Sequence, residues 1–192
     1  MKEIENKKSS WKAGVIIILI ILVGWFFLPR FFGTTGKANS VSNHLVPEVG
    51  KIAPAAVFTT ISGKEVRLSD YRGEKVMIWY LATWCSSCSK GSQVLEQNNA
   101  KLKGMKVIAL ETFGDAGYNG IPIGQFIQEN APASLNYGNW IWGDASKGAT
   151  EVYNSKNYAD IYYLIDKNGI VRSIDGAPSA TINKIIGFAQ GQ

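Results

Sequence analysis

Cys85 and Cys88, separated by Ser86-Ser87, are the residues best equipped for chemistry in this 192-residue chain. They follow the apolar run Val76 to Ala82 (VMIWYLA), which reads as a central strand, and they open a segment, Ser86 to about Leu102, with helical spacing of Val94, Leu95 and Leu102. A three-residue step on the first turn of a helix lets two sulfurs approach closely enough to bond. The free N–H groups and positive dipole end of that helix favour a thiolate at the first of them. Cys85 is therefore the expected low-pKa nucleophile, and Cys88, one turn further in, the buried resolving thiol. A C-x-x-C pair can also be half of a zinc site or an inert structural pair. There is no second cysteine pair, and the single histidine, His44, lies in a polar linker, so four-ligand structural zinc is disfavoured.

The elements that must position the pair follow from the pattern around it. Lys106 to Leu110 (KVIAL) is a second buried strand, which with Val76 to Ala82 and the intervening helix makes a βαβ unit with parallel strands. Ahead of it, Ala55 to Thr60 and Glu65 to Leu68 flank Ser62-Gly63-Lys64 as a hairpin. Short helices are expected over Gly124 to Asn130 and Ser146 to Tyr153, with a strand over Asn139 to Trp142 between them. Ile161 to Ile165 and Ile170 to Ile174 form a hairpin about Asp166-Lys167-Asn168-Gly169, and Thr181 to Ala189 is a terminal helix with Ile182, Ile185, Ile186 and Ala189 on one face. The expectation is an α/β domain, a mixed central sheet flanked by helices with an added N-terminal hairpin, over residues 51–192.

Before that domain, Ala13 to Leu28 is an uncharged, nearly wholly apolar stretch flanked by Trp11, Trp25, Phe26, Phe27, Phe31 and Phe32. Residues 13–32 read as one transmembrane anchor, with a cleaved signal peptide as the alternative, residues 1–12 as a cytoplasmic N-terminus carrying four lysines, and residues 33–50 as a flexible linker. The positive-inside bias then places the C-terminal domain outside the cytoplasm of a single-pass membrane protein. The formal net charge is +5, of which +3 falls within the first 30 residues. What remains is too balanced for a phosphate-neutralising surface, and no nucleic acid partner is expected.

Leu81-Ala82-Thr83-Trp84-Cys85-Ser86-Ser87-Cys88, preceded by Val66 to Gly73 (VRLSDYRG) and Val76-Met77-Ile78, resembles the TlpA/ResA-like branch of membrane-anchored thioredoxin-fold proteins. Lys51 to Phe58 (KIAPAAVF) is similar to the opening strand of that family and Tyr163 to Gly169 (YLIDKNG) to its late hairpin; the similarity spans about residues 50–190. It implies a thioredoxin-like fold and exchange of thiols and disulfides outside the membrane. Reduction of client proteins is the implied direction, with a membrane electron donor and no cofactor or resident metal. The residues depart from the family pattern at three places. Trp79 stands where thioredoxins carry an acid six residues before the first cysteine, and Gly91 where many relatives carry a glutamate. Asp160 falls where the family has a cis-proline, and none of Asn157 to Tyr163 is proline.

Three further residues receive supporting roles on this reading. Trp84 adjoins the nucleophile and could shield the Cys85–Cys88 disulfide. Glu111, at the end of a strand, could reach the buried thiol as a proton acceptor. Asp160 would bring a carboxylate near Cys85 and oppose its thiolate. Two other functions use the same residues: a copper-handling protein in which both thiolates and Asp160 hold a soft metal ion, and a redox-inactive binding module.

Overall fold

The computed structural model describes residues 46–191. The anchor expected over 13–32, the cytoplasmic segment and most of the linker, including His44, lie outside the described residues. Among those described, no helix is long and apolar enough to cross a membrane.

Seven strands form one sheet in the order β2-β1-β5-β4-β3-β6-β7. The strands are β1 (Val57–Thr60), β2 (Glu65–Arg67), β3 (Val76–Leu81), β4 (Lys106–Glu111), β5 (Trp140–Ala145), β6 (Asp160–Ile165) and β7 (Val171–Asp175). β3, β4 and β5 run parallel, and β1, β2, β6 and β7 add antiparallel pairs at the two sides. The helices are α1 (Ser86–Gln97), α2 (Asn99–Leu102), α3 (Ile123–Asn130), α4 (Lys147–Tyr153) and α5 (Ile182–Gln190). Every residue of β3 is buried, as a strand covered on both faces requires. Alternation then divides its side chains. Met77, Trp79 and Leu81 join Leu95 of α1, Phe126 of α3 and Ile185 of α5 in one core, whereas Val76, Ile78 and Tyr80 join Phe58, Tyr153 and Tyr163 in the other.

Two elements differ from the sequence reading. The helix expected to run from Ser86 to Leu102 is interrupted at Asn98, whose side-chain amide donates to Val94 O at 2.9 Å while its backbone N–H is shared between the Val94 and Leu95 carbonyls. A side chain that competes for the helical ladder in this way ends a helix in favour of a turn. The strand expected to end at Trp142 continues to Ala145, because Gly143, Asp144 and Ala145 pair with Thr60, Thr59 and Phe58 of β1. Gly143 is required there: a Cβ at this position would lie 2.2 Å from Thr59 O.

Candidate active site

β3 ends at Leu81, and the chain turns through Ala82-Thr83-Trp84 into Cys85, which caps α1 in extended conformation at φ −84° and ψ 118°. This short connection is held from two sides. Ala82 N–H donates to Ala159 O at 2.9 Å on the strand side. On the other, the buried Asp115 carboxylate accepts from Thr83 N–H at 2.7 Å and from Thr83 Oγ1 at 3.1 Å. Asp115 sits in a left-handed turn with Gly114 and Ala116, at φ 70°, 47° and 56° for residues 114 to 116. A left-handed alanine is unfavourable by roughly 1–2 kcal/mol, so the surrounding contacts must hold the turn. Gly120 closes the same corner, where a Cβ would overlap the Thr83 hydroxyl and the Asp115 carboxylate.

Cys85 and Cys88 carry free thiols in this structure. Cys85 retains 8% exposure and Cys88 none. The order of access is the one expected for a nucleophile followed by a resolving thiol, although Cys85 is more enclosed than a helix start suggests. The Cys88 thiol donates to Ala159 O at 2.9 Å. Burial pushes this thiol far up, and the charge of Asp160 and the neighbouring Cys85 push the same way.

Asp160 starts β6, opposite Leu81 in register, and its carboxylate turns inward. Oδ1 accepts from the Trp79 indole N–H at 2.8 Å, and Oδ2 accepts from the Ser87 hydroxyl at 2.7 Å. Ser87 Oγ is in turn 3.1 Å from Cys85 Sγ. The sulfurs of Cys85 and Cys88 and a carboxylate oxygen of Asp160 all lie within 4.8 Å of one another. Asp160 is thus assembled with the cysteine pair, and the peptide bond preceding it is trans.

The three departures from the family pattern form one contact set. The Trp79 indole, fully buried, lies over Gly91 of α1, where a Cβ would meet it at 3.2 Å and Pro178 at 3.3 Å. The absence of a side chain at position 91 thus leaves the indole its space. Its N–H then finds its acceptor in the carboxylate at position 160, as a buried indole N–H must.

Trp84 and Glu111 are placed differently. Trp84 is 43% exposed, donates its indole N–H to Asp115 O at 2.6 Å and packs edge-on against Tyr118, with centroids 4.9 Å apart. It braces the 113–118 turn. Glu111 ends β4 beside Asp144 of β5, and its carboxyl is pushed up to about 7 by burial and by the charges of Asp115 and Asp144. Among the described residues it forms no hydrogen bond to either cysteine, so the proton-acceptor role expected of it is not reflected in these contacts. Trp140 and Trp142 are core residues whose indoles donate to Asn99 Oδ1 and Ser134 Oγ.

Sequence reasoning did not single out Ser87 or Asp115. Ser87 reads as a spacer between the cysteines. Asp115 reads as a loop residue within Gly114-Asp115-Ala116-Gly117, and only the close glycines hint at a tight turn.

The AhpC/TSA family model matches residues 49–174. The chain belongs to this family. It is 29% identical over 192 aligned residues to a thiol-disulfide oxidoreductase ResA of Bacillus cereus, an alignment covering 96% of this chain and 97% of that protein. It is 24% identical over 170 residues to the thioredoxin-like protein YneN of Bacillus subtilis, covering 86% of this chain and 89% of that one. The resemblance to ResA-like proteins drawn from the motifs thus extends over most of the chain. Among solved structures, a thioredoxin-like protein from Aeropyrum pernix superposes with a TM-score of 0.51 at 21% identity, covering 68% of this chain and 86% of that one. A thiol:disulfide interchange protein from a Bacteroides species does so with a TM-score of 0.53 at 22% identity, covering 76% and 92%. The fold is the expected thioredoxin-like one, a mixed sheet covered by helices.

Proposed function

We propose that this AhpC/TSA-family protein is a thiol-disulfide oxidoreductase that reduces disulfides of client proteins outside the cytoplasmic membrane, to which residues 13–32 anchor it. The observation that carries the reading is the pair of adjacent, unequally buried thiols at the start of a twelve-residue helix. Relatives named thiol-disulfide oxidoreductases align along nearly the whole chain and support it. The direction and the location rest on the family resemblance and on the lysine-rich N-terminus ahead of the apolar stretch.

In the proposed reaction Cys85 Sγ attacks one sulfur of a client disulfide. A Cys85–client disulfide forms, and the other client sulfur leaves and takes up a proton. Cys88 Sγ then attacks Cys85 Sγ, forming the Cys85–Cys88 disulfide and releasing the second client thiol. Two electrons and two protons pass to the client, and a membrane electron donor must restore the dithiol. Cys88 waits as a buried thiol bound to Ala159 O while Cys85 reacts, and as it attacks Cys85 Sγ its proton passes to the departing client thiolate.

The test is reduction of insulin by the full chain in detergent, with dithiothreitol as electron source. Turnover that disappears in Cys85→Ala supports the reading, and absence of turnover in the intact protein refutes it. A second reading has one specific observation in its favour, the convergence of two sulfurs and one carboxylate oxygen within 4.8 Å. Soft thiolates there would carry copper(I) as cargo. Stoichiometric copper retained by the reduced protein, with no insulin turnover, would favour it.

A further inference from the structure

Ser87 has a single hydroxyl proton, and its position follows from the acceptors around it. Asp160 Oδ2 lies 2.7 Å away, and an ionised carboxylate only accepts. The Ser87 proton is therefore committed to Asp160. The other side of Ser87 Oγ, 3.1 Å from Cys85 Sγ, then presents lone pairs only, so across this contact the sulfur must be the donor. A serine within hydrogen-bond reach of a nucleophilic sulfur would ordinarily stabilise the thiolate by donating to it. Here its orientation does the opposite.

We propose that Ser87 and Asp160 form a directional lock that holds Cys85 in its thiol form at rest. Ser87 touches the reacting sulfur, and Asp160 is a positioning residue acting through it. The Trp79 indole N–H on Oδ1 fixes the carboxylate so that Oδ2 faces Ser87. While its proton is committed to Asp160 at 2.7 Å, Ser87 offers a Cys85 thiolate no donor, so the support for that thiolate falls to the free N–H groups at the start of α1 until Ser87 turns its hydroxyl to the sulfur or a bound client supplies a further donor. The titratable groups facing this cluster are Cys88 from α1 and Tyr162 from β6, both pushed up by burial, so both stay neutral at pH 7. Among the described residues no cationic side chain pairs with Asp160. The consequence is selectivity: Cys85 stays unreactive toward small electrophiles and is released where a client strand covers the site. The lock rests on the reading of Cys85 as the attacking thiol.

The sign of one substitution tests it. The reduced full chain in detergent is alkylated with iodoacetamide between pH 5 and 10, and modification of Cys85 is followed by peptide mass spectrometry. If Ser87 accepts from the thiol, Ser87→Ala removes that support and raises the Cys85 rate at pH 7 about two- to threefold. If Ser87 instead donates to a thiolate, the same substitution lowers the rate, and the proposal is overturned. Ser87→Thr keeps the hydroxyl and should keep the wild-type profile. Asp160→Asn removes the charge and frees the Ser87 proton, moving the profile about one pH unit to lower pH, or about tenfold at pH 7. In the Ser87→Ala background the same change should give about threefold or less. Equal effects in both backgrounds would mean that Asp160 acts through space alone. Should Asp160→Asn not fold, judged by circular dichroism, the sign of Ser87→Ala still decides. Iodoacetamide involves no client, so the lock can stand if insulin reduction fails, and it can fail while insulin is reduced.

Discussion

The indole N–H of Trp79 on β3 donates to Asp160 Oδ1 at 2.8 Å, joining two of the three positions at which the sequence departs from the pattern its resemblance implies. An aromatic donor thus lies on the central strand, and the acid that accepts from it begins the neighbouring strand. Gly91 on α1 leaves room for the indole.

The three residues should therefore be energetically coupled. Gly91→Ala is favourable for a helix interior by about 1 kcal/mol, but its Cβ meets the indole at 3.2 Å. We expect it to lower the melting temperature of the wild-type protein and to raise that of a Trp79→Phe variant, in which the bulk over position 91 is smaller. A double-mutant cycle by thermal unfolding checks this, and simple additivity would refute the coupling.

Glu111 gives a pH prediction. Its carboxyl is pushed up to about 7 in the folded protein, above the ordinary glutamate value, by burial and by Asp115 and Asp144. A raised acid binds its proton more tightly in the fold than in the unfolded chain, so its ionisation costs stability as pH rises from the ordinary glutamate range through about 7. Glu111→Gln should increase the melting temperature at pH 8 and do so less at pH 5. A gain confined to pH 5 would contradict the assignment.

Much of the scaffold was legible in the sequence because its signals are local. An unbroken apolar run marked β3, a C-x-x-C at its end marked the start of α1, and Asp166 to Gly169 marked the last hairpin. What escaped depends on partners distant in the chain. The end of β5 carries Gly143 and Asp144, unpromising for a strand until β1 supplies the pairing. Ser87 gains meaning only from Asp160, 73 residues away, and Asp115 only from Thr83, 32 residues back. The candidate cysteines were readable from spacing. The hydrogen bonds that set the state of Cys85 were not.

Topology is open to a direct check. With residues 1–12 in the cytoplasm and the domain outside, protease added to intact spheroplasts should digest residues 51–192 without permeabilisation. Protection of the domain until the membrane is opened would place it on the other side.

The central claim is the division of labour between the two thiols, and trapping of mixed disulfides tests it most directly. The full chain carrying Cys88→Ser, incubated with oxidised client extract or insulin, should accumulate a reductant-sensitive covalent adduct mapped to Cys85, while Cys85→Ser accumulates none. Adducts formed by Cys85→Ser through Cys88, in place of those on Cys85, would contradict the account.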